Sequence, residues 1–222
     1  MLKHLVVAID GPAGAGKSTI ARRVAAKMGF VYIDTGAMYR AVALWALRQN
    51  VDLSEAGRLE ELAQAARIEF APGASGVLLN GADVTEAIRS PEISQAASRV
   101  SSIPGVRKAL VEKQREMGAR QSVVMEGRDI GSVVFPDAGV KVFLDADPAE
   151  RTLRRARELE QQGETVRAEE VAEQILERDQ RDRTRAAAPL VQAPGAVYLD
   201  TTRLTLDQVE AVILNLIRKS LR

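Results

Sequence analysis

Short apolar runs recur along the chain, and stretches with helical periodicity lie between them. The runs are LVVAI (5–9), FVYI (30–33), SVVM (122–125), VKVFL (140–144) and AVYL (196–199). Most are continuous rather than alternating, which is typical of strands buried on both faces. Because they alternate with helical segments, the pattern predicts an α/β fold in which helices wrap a five-stranded parallel sheet.

The predicted helices follow from apolar spacing. Ile20, Val24 and Met28 recur at every fourth position before Gly29, and further helices are predicted over 37–48, 104–118, 148–161, 168–184 and 205–221. The last helix opens with a capping box, Thr205 followed by Gln208. Its apolar face is predicted to be Val209, Val212, Ile213 and Leu216. We interpret this helix as a packing element.

Two segments interrupt the alternation. The chain between the second and third runs is far longer than one crossover helix needs, and it contains RIEFAPGASGVLLNGADVT, two short strand-like stretches joined by a turn rich in Pro, Gly and Ser. Residues 35–107 are therefore predicted to be an inserted subdomain with a small β element. Residues 151–185 are rich in charge and broken by Gly163. Residues 1–34, 108–150 and 186–222 are predicted to form the core domain that contains the parallel sheet.

The first strand leads into a phosphate-binding motif. Gly11 to Ser18 match G-x4-G-K-[ST], with a strand before and a helix after, as a P-loop requires. Small residues let backbone N–H groups surround phosphate oxygens, and the helix N-terminus adds its dipole. Lys17 is expected to contact the outer phosphates and Ser18 to bind Mg²⁺. The predicted ATP-binding residues are Gly11, Pro12, Ala13, Gly14, Ala15, Gly16, Lys17, Ser18 and Thr19.

Composition narrows the class of protein. The chain of 222 residues has a net charge of +1, so no overall field favours nucleic acid or an anionic membrane. It has no cysteine, which fits a reducing compartment. The first apolar run is too short for a signal peptide or a membrane span. We expect a cytoplasmic monomer that binds neither nucleic acid nor membrane.

Other P-loop classes lack their signatures here. A GTPase needs D-x-x-G and N-K-x-D motifs, and the sequence has neither. No strand ends in the paired acids of a translocating ATPase. The third run does lead to Glu126 and Asp129, which either orient a metal-bound water or contact a substrate. A small kinase remains, in which a nucleoside triphosphate donates its γ-phosphoryl group to a second ligand.

Arginines after other strands point to the acceptor. Arg40 lies just after the second run and Arg128 after the third, so in a parallel sheet both reach the edge that carries the P-loop. Two converging arginines suggest an acceptor that is itself phosphorylated.

The charged segment adds two more groups of arginines. Arg178, Asp182 and Arg185 share one helical face, and Arg151, Arg154 and Arg155 form a second cluster before Gly163. A solvated face laced with ion pairs remains the alternative, because residues 150–185 hold nine arginines and ten acids. As a group, we interpret these arginines as part of a mobile lid that supplies positive charge and excludes water.

Longer motifs resemble one family. DTGAMYR, GRDIGSVVFPDA and RDRTRAAAPL, together with the P-loop, make the chain resemble bacterial cytidylate kinases over essentially its whole length. The resemblance implies a P-loop core, a monophosphate-binding insertion (35–107) and a short lid with an arginine-rich helix returning to the core (151–185). It also implies ATP as donor with Mg²⁺ and CMP or dCMP as acceptor.

The resemblance assigns roles residue by residue. The monophosphate site would comprise Thr35, Arg40, Ser98, Arg107, Arg128, Asp129, Arg178, Asp182 and Arg185, with Arg154 and Arg155 in the lid. Catalytic roles fall to Lys17, Arg128, Arg154, Arg155 and Arg185. Cytosine presents an amine beside two acceptors, which suits Asp129 or Ser98 for the amine and Arg107 for the acceptors.

Two other hypotheses stay open at this point. The same fold could phosphorylate UMP, AMP or a small phosphorylated metabolite. A P-loop regulator that binds nucleic acid through residues 150–185 is a second alternative, although the near-neutral charge of that segment speaks against it.

Overall fold

The computed structural model describes residues 4–70, 76–161, 163 and 165–221. Its strands are β1 (Val6–Asp10), β2 (Val31–Asp34), β3 (Ile68–Phe70), β4 (Val77–Leu79), β5 (Ala82–Asp83), β6 (Val123–Gly127), β7 (Val140–Asp145) and β8 (Val197–Asp200). Its helices are α1 (Lys17–Met28), α2 (Thr35–Arg48), α3 (Ala56–Ala65), α4 (Pro91–Val100), α5 (Pro104–Arg120), α6 (Pro148–Gln161), α7 (Ala168–Thr184) and α8 (Leu206–Ser220).

The larger sheet has five strands in the order β2-β6-β1-β7-β8. The pairs β1–β6, β1–β7 and β7–β8 are parallel. Strand β1 is central and its residues Val7, Ala8 and Ile9 are fully buried, as a strand covered by helices on both faces must be. The predicted α/β fold with a five-stranded sheet is confirmed.

The chain divides into two compact units, Met1–Tyr32 with Val123–Arg222, and Ile33–Ser122. The first unit has its core around α1, β1, β7 and α8. The capping box of α8 is present, with Thr205 and Gln208 bonded reciprocally. One part of the predicted apolar face was wrong, because Val212 is exposed while Val209, Ile213 and Ile217 are buried.

The second unit, Ile33–Ser122, has its own core formed by α2 to α5 and a small antiparallel sheet in the order β3-β4-β5. The sequence pattern predicted two strands there. The third, β5, is two residues long and exposed on both, so no apolar alternation marks it. The turn predicted within residues 71–75 lies outside the described residues.

Helices α3 and α4 were not predicted. Helix α4 carries clear local signals in retrospect, because Ser90 accepts the N–H of Ile93 as N-cap and Pro91 occupies the first helical turn. Helix α3 has only Leu59, Leu62 and Ala63 buried.

Helices α6 and α7 lie on either side of a turn at Gly163, whose φ is 85°. They share a small apolar cluster of Leu159, Val171 and Ile175, apart from the two larger cores. Among the residues that the structure describes, no helix combines the length and apolar character of a membrane span.

Candidate active site

The P-loop connects the end of β1 to the start of α1. Gly14 has φ 75° and Gly16, the N-cap residue, has φ 87°, conformations that a residue with a Cβ adopts at a cost. Gly11 approaches another strand, because a Cβ there would lie 1.9 Å from the carbonyl oxygen of Leu144. Only glycine therefore permits this path.

Lys17 is the first residue of α1, and its side chain is buried. Its Nζ donates to the carbonyl oxygen of Pro12 at 2.6 Å within the loop. Burial, followed by the positive charge of Arg128, lowers the pKa of Lys17 to about 7. An anion bound in the loop would favour the charged form of Lys17 and so offset both effects on its pKa. Ser18 is half-buried and Thr19 is exposed.

Asp10, at the end of β1, was not predicted to belong to the site. Its two oxygens accept the backbone N–H groups of Ile130 and Gly131 at 2.8 and 2.7 Å. These residues begin the π-helical turn Ile130–Val134, directly after Arg128 and Asp129. Burial raises the pKa of Asp10 to about 6, although the two N–H groups favour its charged form. Asp10 thus anchors the segment that carries two predicted substrate residues.

Four of the predicted substrate residues meet in one cluster. Asp182 on α7 accepts from Nε of Arg128 at 2.8 Å and from Nη1 of Arg185 at 3.5 Å. Arg185 Nη2 also lies 3.8 Å from Oδ1 of Asp129. Burial opposes the charge of Asp182, but Arg128 and Arg178 lower its pKa overall. Burial likewise opposes the charge of Arg128, yet Asp182 holds its pKa above the ordinary value. Two arginines and two acids form this cluster, and the charge of Arg178 acts on its member Asp182.

The two predicted lid arginines have different surroundings. Arg154 donates to the hydroxyl and the carbonyl of Thr201 at 2.9 and 2.8 Å and pairs with Glu150 at 2.8 Å. A Cβ built on Gly16 would lie 3.9 Å from Arg154 Nη1, so this guanidinium borders the P-loop. Arg155 pairs with Glu158 on its own helix at 2.8 Å. Thr201, which sequence reasoning missed, is buried and joins Arg154 to the loop after β8.

Helical spacing grouped Arg151 with Arg154 and Arg155, but the surroundings of its side chain differ from theirs. Instead of facing an anion in solvent it is buried, and it donates to Asp179, to Ala13 and to Ala146. Helical spacing alone gives no sign of this, because Asp179 lies on another helix.

In the second unit, α2 presents Thr35 and Arg40. Asp34 caps this helix by accepting the N–H of Ala37 at 2.9 Å, and its other oxygen accepts from Arg40 Nη2 at 2.8 Å. Thr35 is buried in the first turn. One carboxylate therefore both starts the helix and orients the arginine.

Ser98 lies in the last turn of α4, and Arg107 lies in the first turn of α5. The buried Arg107 donates to the carbonyl oxygen of Ser101 at 3.1 Å, and its guanidinium carbon lies 5.5 Å from the ring centroid of Tyr39. The buried Ser98 Oγ has no hydrogen-bond partner among the described residues. A buried hydroxyl in that state is a candidate for contact with a ligand.

A cavity of about 620 Å³ opens beside the ends of β7 and β8. It is lined by residues on both sides of Thr201 and at the start of α6: Asp145, Ala146, Asp147, Pro148, Tyr198, Asp200, Thr202, Arg203 and Leu204. Within the described part of the chain, no group of three or more His, Cys, Asp or Glu side chains forms a metal cage.

A P-loop at the edge of a parallel sheet, with a buried lysine and several arginines gathered nearby, defines a P-loop phosphotransferase. The sequence comparisons give the family. Residues 7–219 match the cytidylate kinase family, and the chain belongs to it.

Individual relatives agree with this assignment. The chain is 60% identical to a cytidylate kinase of Solibacter usitatus (strain Ellin6076), over 97% of this chain and 93% of the relative. It is 51% identical to a cytidylate kinase of Pelotomaculum thermopropionicum, over 93% of each. A crystal structure of an uncharacterized protein from Eubacterium ventriosum is similar in fold, with a TM-score of 0.51, 13% identity and coverage of 97% of this chain and 99% of that one.

Proposed function

We propose that this protein transfers the γ-phosphoryl group of ATP to CMP or dCMP, giving ADP and CDP or dCDP. The observation that carries the proposal is the closeness of Lys17, in the P-loop, to Arg128, in the cluster with Asp182 and Arg185. Positive groups expected to contact donor and acceptor phosphates are held together, as transfer between two polyanions requires. Membership of the cytidylate kinase family supports CMP as the acceptor.

On the donor side, P-loop N–H groups and Lys17 would bind the outer phosphates of ATP. Arg154, which borders Gly16, and Arg155 would add positive charge as the γ-phosphoryl group moves. The cavity next to Thr201 has room for the adenosine part of ATP. Residues 151–185 would act as the lid that excludes water from the reacting phosphates.

Mg²⁺ fits the donor side without a protein cage. It usually keeps several waters and binds through one or two protein ligands plus substrate phosphates. Ser18, half-buried in the first turn of α1, offers one hydroxyl beside the loop. When bound, the ion would neutralise developing charge on the phosphates. The residues present are compatible with this role.

On the acceptor side, Arg40, Arg128 and Arg185 would bind the phosphate of CMP, and Asp182 would accept from a ribose hydroxyl. Arg178 would line the same site. Ser98 or Asp129 would accept the cytosine amine, and Arg107 would donate to the ring nitrogen and carbonyl. Thr35, buried in the first turn of α2, would also contact this ligand. The acceptor oxygen is already largely ionised near neutral pH, so a strong general base is not needed.

The decisive experiment is a panel of acceptors with purified protein and ATP. We expect turnover with CMP and dCMP to exceed that with UMP and AMP. The Arg107→Ala variant should lower the CMP-to-UMP rate ratio more than it changes the KM for ATP. Equal or faster turnover of UMP or AMP by the wild type would overturn the assignment of cytosine.

We also propose that the protein works as a cytoplasmic monomer that does not bind nucleic acid. The net charge of +1 supports the last point, because non-specific nucleic-acid binding depends on a positive field. Salt-sensitive RNA or DNA binding without phosphoryl transfer would favour the regulator hypothesis instead.

A further inference from the structure

The buried ion pair between Arg151 on α6 and Asp179 on α7 is not used by the chemistry described above. Arg151 Nη1 lies 2.6 Å from Asp179 Oδ2, and both side chains are almost completely buried. The second oxygen of Asp179 is buried and has no hydrogen-bond partner among the described residues. A buried ion pair with incomplete hydrogen bonding contributes little to the free energy of unfolding, because removing both charges from water is costly. Stability alone therefore does not explain why this pair is present.

The guanidinium group of Arg151 also binds the P-loop. Arg151 Nη1 also donates to the carbonyl oxygen of Ala13 at 3.0 Å, and its Nε donates to the carbonyl of Ala146 at 3.1 Å. The loop lies directly on α6 at this point, since a Cβ on Gly14 would be 2.7 Å from the carbonyl oxygen of Arg151. Two helices therefore hold one peptide of the loop in place.

That contact fixes the direction of a backbone donor. In a planar trans peptide, the C=O and the following N–H point in opposite directions. Because the Ala13 carbonyl is bound to Arg151, the Gly14 N–H points away from Arg151. Freeing the carbonyl would let this peptide rotate about the glycine, where backbone conformations are easily exchanged.

Helix α7 also carries the acceptor-side acid. Asp182 lies one turn after Asp179 and binds Arg128 at 2.8 Å. Helix α7 is thus linked to the P-loop by the pair of Asp179 with Arg151, and to the acceptor cluster of Arg128, Asp129 and Arg185 by Asp182.

We propose that Arg151, oriented by Asp179, is a positioning residue that directs the Gly14 N–H toward the phosphates of ATP and couples the donor loop to the acceptor cluster through α7. This rests on the proposed function in taking ATP as the ligand of the loop and, for the coupling, CMP as the ligand of the acceptor cluster. Loss of the pair lowers ATP affinity even without CMP, and it reduces the effect of bound CMP on the KM for ATP.

The test replaces the pair as a unit. Arg151→Met with Asp179→Leu leaves no buried charge, so the fold is expected to be retained. We expect the melting temperature to stay close to the wild-type value, while the Kd for ATP, measured by calorimetry without acceptor, rises about tenfold or more. The KM for ATP should become independent of CMP concentration. Wild-type Kd and KM in the folded double variant would overturn the proposal.

A milder variant covers the case in which the double variant does not fold. Asp179→Asn keeps the size of the side chain and one oxygen that can accept from Arg151 Nη1, but it removes the negative charge that faces the guanidinium. It should raise the Kd for ATP about threefold, and leave the KM for CMP within about twofold at saturating ATP. An unchanged Kd for ATP in this variant would also overturn the proposal.

The control is an ion pair of the same unit away from the loop. Glu210 on α8 is buried and binds Arg23 and Lys27 on α1. Arg23→Met with Glu210→Leu should change thermal stability without changing ATP affinity. If wild-type protein binds ATP but phosphorylates no nucleoside monophosphate, the proposed function fails while the Kd comparison still decides the role of Arg151.

Discussion

At the scale of single residues, Lys17 links ATP binding to pH. Burial and Arg128 lower its pKa to about 7, so at pH 8 most free protein carries a neutral lysine. Bound phosphates favour the ammonium form and raise that pKa. ATP binding should therefore take up a proton at pH 8, and affinity should fall by up to about tenfold per pH unit above 7. Calorimetry in two buffers with different protonation enthalpies measures the uptake.

At pH 8, protonation of the nucleotide does not contribute to the measured proton uptake. A phosphate monoester has its second pKa near 6, so ATP is fully ionised at pH 8. Lys17→Met should bind ATP more weakly and show no proton uptake when saturated. Wild-type binding at pH 8 without uptake would mean that the lysine is already charged in the free protein.

Asp34 offers a second prediction at this scale, because it has two separable roles. Asn is as good an N-cap as Asp, so Asp34→Asn should keep the bond to Ala37 but lose the charge facing Arg40. We expect the KM for CMP to rise about threefold to tenfold, with the KM for ATP within about twofold. Steady-state kinetics with each substrate varied would show the difference.

Asp34→Ala is the matched comparison. It removes cap and ion pair together and should cost about 1 kcal/mol more stability than the Asn variant. If Asp34→Asn had the wild-type KM for CMP, the orientation of Arg40 would not depend on this carboxylate.

Residue identities were more predictable than residue contacts. The P-loop motif singles out Lys17, and the strand ends single out Arg40 and Arg128, because these predictions depend only on local sequence and on the parallel sheet. The contacts of Asp10 and Asp179 were not predictable, since their partners lie 120 and 28 residues away along the chain. Arg151 shows the limit most clearly: spacing grouped it with Arg154, yet its side chain is buried and paired with Asp179 on another helix.

At the scale of elements, buried strands and long amphipathic helices were predicted, while short elements were not. β5 has two exposed residues and α3 has ten residues with a narrow buried face, so neither has a strong periodic signal. Their formation depends on the rest of the second unit, whose core they join or border. Tertiary packing decides such elements more than local propensity does.

The α6–α7 pair yields a prediction for the lid. Leu159, Val171 and Ile175 form its small core, so Leu159→Ala should destabilise this pair locally by about 2–5 kcal/mol. Amide exchange should speed up across α6 and α7, kcat should fall, and the melting temperature should change less than for a substitution in the main cores. Hydrogen exchange with mass spectrometry and kinetics on the same sample provide the measurement.

Leu176 supplies the control on the same element. It neighbours Ile175 but is 69% exposed, so Leu176→Ala should leave both exchange and kcat close to wild type. Equal effects of the two substitutions, or an unchanged kcat in Leu159→Ala, would contradict a lid role for this cluster.

At the scale of the whole molecule, the two largest cores formed by the described residues come from separate stretches of sequence. The cluster of the second unit includes Leu59, and that of the first unit includes Ile213, with no residue in common. The proposed roles follow the same division, since the P-loop belongs to the first unit and Arg40, Ser98 and Arg107 belong to the second. Local stability can therefore differ between the regions that would bind donor and base.

This division predicts different responses to equivalent cavities. Leu59 and Ile213 are both fully buried, so replacing either by Ala should cost about 2–5 kcal/mol. Leu59→Ala should speed amide exchange mainly within residues 33–122 and raise the KM for CMP, because Arg40 and Arg107 lose their support. Ile213→Ala should act mainly on residues 1–32 and 123–222 and weaken ATP binding. Uniform acceleration of exchange along the chain by both variants would instead show a single cooperative unit.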